Sequence, residues 1–210
     1  RACRQNDILF FVDAIQQLGA LQMDVEACQI DFLAADGHKW LLSPEGIAVF
    51  YCRGDRRDLL QPSQLGWHMV DDPYRFDREE WQPSQTAGRF EAGTPNMLGQ
   101  VAMHASVSLL LDTGMSVVES LVISNSRQLF HGIDAIGGVE ALGAFDERRA
   151  SGIVNCRPLN MSTGDFYSSL VKRGVSCAVR GGGVRLSPHY YQAGETIDEL
   201  LNVIELCSKQ

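Results

Sequence analysis

The length, composition and charge of the chain exclude several classes of protein. Its 210 residues are 45% hydrophobic and 21% charged, which is typical of a globular protein with one large domain or two small ones. The 26 acidic residues outnumber the 18 basic residues, and no basic stripe is present, so we expect no nucleic-acid partner. The sequence has no uncharged apolar stretch of about 18 residues, so we expect no membrane-spanning helix and no membrane partner.

The cysteines and the first residues indicate the cellular compartment. Six cysteines are spread along the chain without a C-x-x-C pair, which predicts reduced thiols rather than a disulfide framework, and no metal site. The first residues lack the apolar core and cleavage site of a secretory signal, so we expect a cytoplasmic protein. The chain lacks a starting Met and runs quickly into an apolar stretch, which predicts that it begins inside a larger protein.

Three apolar runs of strand length occupy the N-terminal part of the chain. The first, 8–12, ends on Asp13, and the second, 32–35, ends on Asp36. The third, 47–51, follows a Pro-Glu-Gly turn and is close enough to return antiparallel to its neighbour. Continuous apolar runs are typical of strands that are buried on both faces, so this part predicts an α/β sheet covered by helices.

A long segment without clean periodicity follows these strands. Residues 53–96 carry four of the seven prolines, and we expect an extended excursion that serves a site or an interface. Helical spacing resumes at Met97 and predicts one helix that ends at Gly114. A second, longer amphipathic helix is predicted from about Val117 to Ile136.

The C-terminal part of the sequence predicts the element order βαββα after that long helix. The predicted elements are a strand at 152–156, a helix at about 165–172, strands at 175–179 and 184–187, and a helix from about 196. Glycines 181–183 do not open a helix, so they predict a tight strand-to-strand turn rather than a phosphate loop. We therefore expect a small α+β domain at 115–210 after a first domain at 1–114.

An aspartate and a lysine follow the ends of the first two predicted strands. Ligands of open α/β sheets bind outside the carboxyl ends of the strands, which would place Asp13, Gln16 and Lys39 at one edge. A lysine beside buried apolar strands can lose its charge and act as a nucleophilic amine. Taken alone, such residues are more often a turn carboxylate and a solvated surface amine.

Four motifs, taken together, resemble the class V aminotransferase family. The motifs are VDAIQ at 12–16, DGHKW at 36–40 with PEG at 44–46, RFEAGTPN at 89–96 and VRLSPH at 184–189. These are fold-type I pyridoxal-phosphate enzymes, and they include cysteine desulfurases, selenocysteine lyases and isopenicillin N epimerase-like proteins. The resemblance implies an α/β fold: the carboxyl-terminal part of an aspartate aminotransferase-like large domain at 1–114, followed by a small C-terminal α+β domain at 115–210.

The resemblance implies a cofactor-binding role for four residues near the first two strands. Lys39 resembles the catalytic lysine that forms a Schiff base with pyridoxal 5′-phosphate and moves the substrate α-proton. Asp13 resembles the carboxylate that keeps the pyridine ring protonated and able to accept electrons. Gln16 resembles the residue that hydrogen-bonds the phenolic oxygen, and His38 resembles the histidine that contacts the phosphate.

Two further residues gain roles from the resemblance. Thr94 resembles the threonine that reaches the phosphate from the other subunit, which implies a homodimer with composite active sites. Arg185 resembles the arginine that binds the substrate α-carboxylate in a bidentate pair, which implies an amino acid as small-molecule substrate.

The sequence departs from the family pattern at two points. Many relatives carry Ser where this chain has Asp36, and we assign no phosphate role to that carboxylate. The family's phosphate turn and ring-stacking residue belong to a segment that would precede Asp13. We therefore expect the chain by itself to bind cofactor poorly and to be inactive.

The sequence leaves more than one type of reaction open. Desulfurases use a loop cysteine shortly before the substrate arginine, but residues 180–183 contain none, and Cys177 is interpreted as a buried inert thiol in a strand. Transamination, epimerisation or β-elimination is therefore expected. A cysteine desulfurase or selenocysteine lyase is the alternative, and a non-catalytic dimeric binding protein on the same fold is another. The binding protein is disfavoured because it would need none of the four residues that the chain keeps together, which are Lys39, Asp13, Gln16 and Arg185.

Overall fold

The computed structural model describes residues 1–209, which form a mixed α/β structure in two compact units. The first unit consists of Arg1–Gly19 and Met23–Asp112, and the second consists of Ala20–Gln22 and the chain from Thr113 onward. The α/β fold class predicted from the sequence is confirmed. Gln210, the last residue of the predicted second domain, lies outside the described residues.

A three-stranded sheet organises the first unit. After a short helix α1 (Ala2–Gln5), the strands are β1 (Phe11–Asp13), β2 (Phe32–Asp36) and β3 (Ala48–Cys52). The strand order is β1-β2-β3, with β1 parallel to β2 and β3 antiparallel to β2, as the short connection before β3 predicts. Apolar side chains around β2 pack into a cluster, and its buried members are Ala14, Ile30, Leu33 and Ala35.

The first strand differs from its prediction. Strand pairing begins only at Phe11, and the side chains of Ile8, Leu9 and Phe11 are 50–58% exposed. The expectation of burial on both faces is therefore wrong for the described residues. The physical reason is that these side chains have little cover within residues 1–209, and an apolar run by itself does not show what packs against the faces of a strand.

A buried carboxylate connects the sheet to the start of the excursion. Asp31 accepts hydrogen bonds from the Phe10 amide (2.8 Å) and from Arg56 (3.2 Å), and it forms an ion pair with Arg53 (2.8 Å). Burial alone would raise the pKa of Asp31, but the Phe10 amide and the two guanidinium groups hold it below its ordinary value. The carboxylate therefore stays charged and fixes three segments of the unit to one another.

The predicted excursion contains three short 3₁₀ turns, at Gly54–Leu59, Trp67–Met69 and Ala87–Phe90. It surrounds a cavity of about 640 Å³ lined by Trp67, Trp81, Met69 and other residues. Arg89 is buried beside this cavity, where its Nε donates to the Ser84 carbonyl oxygen (2.7 Å) and one Nη donates to Asp58 (2.6 Å). The excursion is thus an ordered structure that Arg89 supports from inside.

Helices α2 (Met97–Thr113) and α3 (Met115–Ala135) follow, separated at Gly114 as predicted. The positive φ of Gly114, +86°, is a conformation that glycine adopts without steric cost. No single helix among residues 1–209 is long and apolar enough to span a membrane. Helices α2 and α3 reach the length and composition of a membrane span only when they are counted together.

The second unit packs helices against a four-stranded antiparallel sheet. Its further elements are β4 (Val139–Ala141), β5 (Val154–Pro158), α4 (Thr163–Lys172), β6 (Ala178–Arg180), β7 (Gly183–Leu186) and α5 (Gly194–Ser208). The strand order is β4-β5-β7-β6, so the predicted βαββα series is confirmed, with β4 added before it. The core includes Leu129, Ile133, Val154, Cys156, Phe166, Leu170, Val184, Leu186, Ile197 and Ile204.

The triple glycine forms a two-residue hairpin turn between β6 and β7. Arg180 pairs with Gly183, and the two residues between them have φ values of +58° and +79°. Positive φ at both central positions is the type I′ geometry that matches the twist of an antiparallel pair. The tight turn predicted from the sequence is therefore confirmed.

Candidate active site

The parallel pairing of β1 and β2 brings two polar turns to one edge of the sheet. Phe11 pairs with Phe32 and Asp13 pairs with Ala34, so both strands end on the same side. The Ala14 amide continues this pairing with a hydrogen bond to the Ala34 carbonyl oxygen (2.8 Å). Residues 13–16 and 36–39 therefore leave the sheet at the same edge, where ligands of such sheets bind.

A side-chain hydrogen bond ties these two turns together. The indole Nε1 of Trp40 donates to Oε1 of Gln16 at 3.1 Å, and Trp40 itself is 4% exposed. Gly19 has a φ of +93°, and a Cβ added there would overlap the Trp40 carbonyl group. Because the carbonyl oxygen of Gln16 faces Trp40, its NH₂ group is left as a donor.

Lys39 lies in an irregular turn that is fixed at both ends. The Gly37 amide donates to the Ile47 carbonyl oxygen, and the Ser43 amide donates to the Gly37 carbonyl oxygen, both at 2.9 Å. Leu42, within the turn, has a φ of +57°, which is unusual for a bulky residue and is typical of strain at functional sites. The half-buried Lys39 amine forms no hydrogen bond or ion pair with any residue in 1–209.

Asp13 supports its own turn and keeps acceptor capacity. Its Oδ1 accepts a hydrogen bond from the Ile15 amide at 3.1 Å, which is the turn role that a strand-end aspartate commonly has. Its other oxygen has no hydrogen-bond partner among the described residues, and the side chain is exposed. The carboxylate can therefore hold the turn and accept a further proton donor.

His38 and Asp36 face each other across the same turn. Nδ1 of His38 lies 3.9 Å from Oδ2 of Asp36, so the two form an ion pair whenever the imidazole is protonated. The Asp36 carboxylate is thus directed toward an imidazole.

Thr94 lies just before α2, and its neighbour Asn96 was missed by sequence reasoning. Thr94 is exposed. Oδ1 of Asn96 accepts from the Gly99 amide and its Nδ2 donates to the Gly46 carbonyl oxygen, each at 3.0 Å. Asn96 therefore caps α2 and links it to the Pro-Glu-Gly turn. Its place directly before a predicted helix was the signal that could have found it.

Arg185 belongs to the second unit, and its environment is described within that unit alone. It lies in β7 opposite Asn155 on one side and Ala178 on the other. Its neighbours Val184 and Leu186 are buried, so Arg185 projects from the opposite face of the sheet. No hydrogen bond or ion pair joins its guanidinium to another described residue.

Cys156 and Cys177 show the properties of unreactive thiols. All six are free, and Cys177 lies directly before β6, half-buried against the core, rather than inside a strand as predicted. Burial raises the pKa of the Cys177 thiol, and it raises the pKa of Cys156 to about 12. A raised pKa disfavours the thiolate, which is the nucleophilic form. Among residues 1–209, no three His, Cys, Asp or Glu side chains are grouped to hold a metal ion.

Comparisons with known proteins give one consistent result. The family Aminotransferase class-V matches residues 1–200. A probable cysteine desulfurase of Methanothermobacter thermautotrophicus is 30% identical over 214 residues, which cover 94% of this chain and 52% of that protein. The apo cysteine desulfurase from Thermococcus onnurineus NA1 matches the structure with a TM-score of 0.87 at 26% identity, over 98% of this chain and 54% of that one.

A second solved structure extends the fold comparison. A C-DES mutant with glycine covalently linked to its PLP cofactor matches with a TM-score of 0.84 at 21% identity, over 94% of this chain and 51% of that one. At this identity the match concerns the fold alone. The chain spans about half the length of the curated relatives it matches.

Proposed function

Since the chain belongs to the class V aminotransferase family, as its four motifs predict, we propose that it is part of a pyridoxal-phosphate enzyme that acts on an amino acid through Lys39. The observation that carries this proposal is the pairing of two turns at one sheet edge. These turns place Lys39, whose amine has no partner among residues 1–209, at the same sheet edge as Asp13 and Gln16, and the Trp40–Gln16 hydrogen bond joins the two turns.

The residues at this edge fit pyridoxal phosphate. One carboxylate oxygen of Asp13 has no hydrogen-bond partner within the described part of the chain, which suits the protonated ring nitrogen of the cofactor. Gln16 presents an NH₂ group, which suits the phenolic oxygen, because its carbonyl oxygen is held by Trp40. The free amine of Lys39 suits a covalent bond to the aldehyde carbon. His38 and Thr94 are the proposed phosphate contacts, with Thr94 serving the site of a partner subunit in a homodimer.

When bound, pyridoxal phosphate supplies an electron sink for negative charge at the substrate Cα. The proposed roles of the chain's own groups follow from their chemistry. The Asp13 carboxylate favours the protonated ring. The Lys39 amine takes the proton from Cα and returns it to the reacting atom. The Arg185 guanidinium binds the α-carboxylate with two parallel hydrogen bonds and so orients the Cα–H bond.

This proposal assigns residues 1–114 to the carboxyl-terminal part of the cofactor-binding large domain and residues 115–210 to the small domain.

The geometry of the β6–β7 hairpin favours transamination, epimerisation or β-elimination. The hairpin turn is only two residues long and contains no cysteine, so it offers no loop on which a nucleophilic thiol could approach the substrate. Cys177, before β6, is half-buried and has a raised pKa. Cysteine desulfuration is the second candidate, and it is favoured by the similarity to a probable cysteine desulfurase.

A labelling experiment tests the site. The chain has three lysines, and Lys172 and Lys209 are both exposed. Borohydride reduction of the full-length protein with pyridoxal phosphate is expected to place the pyridoxyl mass on the peptide that contains Lys39. Lys39→Ala is expected to abolish this label, whereas the matched variant Lys172→Ala keeps it. A label on the Lys172 or Lys209 peptide instead would show that the assignment is wrong.

A further inference from the structure

The side chain of Asn155, in β5, reaches across the sheet of the second unit. Its amide nitrogen donates to the carbonyl oxygens of Arg180 (2.9 Å) and Gly181 (3.3 Å), which belong to the turn between β6 and β7. Both partners are acceptors, so the contacts define which end of the amide faces the turn. Strand β7 lies between β5 and β6, and the Asn155 side chain therefore crosses over β7 to make these bonds.

Glycines provide the space for this crossing. A Cβ on Gly183 would lie 3.1 Å from Oδ1 of Asn155 and would overlap the Cys156 carbonyl oxygen. A Cβ on Gly181 would lie 2.8 Å from Nδ2 of Asn155. The turn and the Asn155 side chain are therefore packed against each other as one structure.

Arg185 lies next to this structure. It is the residue of β7 directly opposite Asn155, and both project from the face of the sheet that is turned away from the core. Directly opposed side chains on one face of an antiparallel pair have Cβ atoms about 4.5–5.5 Å apart. Gly183 is on the same face, two residues closer to the turn, so the crossing Asn155 side chain borders Arg185 on the turn side.

One atom of Asn155 remains without a partner. Oδ1 is buried and accepts no hydrogen bond from residues 1–209. A buried acceptor without a donor is uncommon in folded proteins and calls for an explanation. The amide is thus kept in a position that its own hydrogen bonding does not fully satisfy, in a residue that lies directly opposite Arg185 in the strand pairing.

We propose that Asn155 is a positioning residue for Arg185. This inference rests on the proposed function, in which Arg185 binds the substrate α-carboxylate. Asn155 fixes the turn that leads into β7 and occupies the space on the turn side of Arg185, so it restricts the directions that the guanidinium can take. A pre-oriented guanidinium loses less side-chain freedom when it binds a carboxylate. The effect therefore falls on amino acid affinity and not on cofactor binding.

The test replaces Asn155 with Asp in the full-length protein loaded with pyridoxal phosphate. Asp keeps the shape but presents acceptors to the two carbonyl oxygens. We expect the apparent Kd for L-cysteine and L-alanine, followed by the visible absorbance of the cofactor, to rise about tenfold. Cofactor content stays within about twofold of the parent, because Arg185 is not proposed to contact the cofactor. Asn202→Asp, which adds the same charge at an exposed position of α5, is the matched control and leaves the Kd unchanged.

Amide hydrogen exchange supplies a measurement that needs no substrate. The peptide that covers 178–186 exchanges faster in Asn155→Asp than in the parent or in Asn202→Asp, because the turn has lost both side-chain bonds. If Asn155→Asp does not fold, Asn155→Ser gives the same comparison, since its short hydroxyl cannot cross β7. Unchanged exchange in the folded variant overturns the inference whether or not the proposed function holds.

A double-mutant cycle separates positioning from a general structural effect. In an Arg185→Lys background, Asn155→Asp is expected to change the Kd by less than about twofold, because its effect acts through the guanidinium. A tenfold rise in the Kd in the Arg185→Lys background overturns the inference. Faster hydrogen exchange in Asn155→Asp without a change in its Kd also overturns it. If the parent protein gives no absorbance change with any amino acid, the proposed function is refuted, and so is the effect of Asn155 on substrate binding. The hydrogen-exchange result still decides whether Asn155 fixes the turn.

Discussion

The two units of the chain hold their proposed functional side chains in different ways. In the first unit, Lys39 lies in an irregular turn whose shape depends on a few contacts, among them the Trp40–Gln16 hydrogen bond and the unusual backbone of Leu42. In the second unit, Arg185 lies inside β7, with paired strands on both sides. A position inside a sheet is fixed by many backbone hydrogen bonds, whereas a turn position depends on individual side chains.

The interiors of the two units differ as well. The second unit buries large side chains such as Phe166 and Leu170 completely between the sheet and its helices. In the first unit, the cluster around β2 is built largely from Ala14, Ala35 and Leu33, and the edge strand β1 leaves apolar side chains exposed. We therefore expect the second unit to be the more sensitive to core truncation and the first to be the more sensitive to changes in polar contacts.

The largest effect is expected from truncating the core of the second unit. Phe166→Ala removes a side chain that is 0% exposed and leaves a cavity, so it should lower the free energy of unfolding by about 3–5 kcal/mol. Leu33→Ala in the first unit should cost about 2–3 kcal/mol, since fewer large neighbours surround it. Chemical denaturation monitored by circular dichroism measures both. Leu159→Ala, at a position that is 58% exposed, is the control, and an equal cost for Phe166→Ala and Leu159→Ala would refute the comparison.

The next effect concerns Arg185 itself. Arg185→Lys replaces a planar fork with a point charge, so it should lower kcat/KM for the amino acid about ten- to a hundredfold, from the loss of about 1.5–3 kcal/mol. Cofactor content should remain unchanged, because Arg185 is not proposed to contact the cofactor. The matched variant Arg157→Lys, on the same sheet face but paired with Glu140, should stay near the parent. Loss of cofactor in Arg185→Lys would contradict the carboxylate-binding role.

Asp31 provides a smaller, pH-dependent test of the first unit. Folding lowers the pKa of Asp31 below its ordinary value of 3.8, so the unfolded state binds this proton more tightly than the folded state. The stabilisation is therefore complete above that pH and is lost as the pH falls through the lower folded value. Asp31→Asn should cost about 1–2 kcal/mol at neutral pH and should flatten the acid part of the stability curve.

Thermal unfolding between about pH 2 and 7 measures this effect, with the exposed Asp112→Asn as the control. If stability falls equally steeply with decreasing pH in Asp31→Asn and in the parent, the Asp31 ion pairs are not the cause of that fall.

The smallest effect is expected at Cys177. Because burial raises the pKa of this thiol and it lies outside the hairpin turn, Cys177→Ser should leave turnover of the true substrate within a few-fold of the parent. Removal of a covalent nucleophile typically costs orders of magnitude. A collapse of sulfide release from cysteine in Cys177→Ser would therefore support the desulfurase alternative.

The sequence predicted elements well where the pattern was long or the turn chemistry was specific. The helices on either side of Gly114 and the glycine hairpin are confirmed because periodicity and positive-φ turns are local properties. Strand β4 was missed because three residues are too few to show an alternation. Residues 175–177 were predicted as strand, but pairing starts at Ala178, where the partner strand β7 is available.

The candidate site was predictable as a set of residue types and not as a geometry. The four motifs predicted the family and the cofactor, and the comparisons with known proteins agree with both predictions. The Trp40–Gln16 and Asn155–Arg180 hydrogen bonds join residues 24 and 25 positions apart, respectively. Such contacts depend on strand register and strand order, which no local pattern in the sequence specifies. The roles of Lys39 and Arg185 stay predictions until the labelling and kinetic tests are made.

The two-residue turn between β6 and β7 limits how this protein could diversify. An insertion between Gly181 and Gly182 would add length at a surface position, where loop closure costs only about 0.6 kcal/mol for each doubling of loop length. Such a loop could carry a new reactive group, but it would displace the carbonyl oxygens that Asn155 holds. In this scaffold, a long loop at this hairpin and a short turn held by Asn155 therefore exclude each other, and this chain has the short turn.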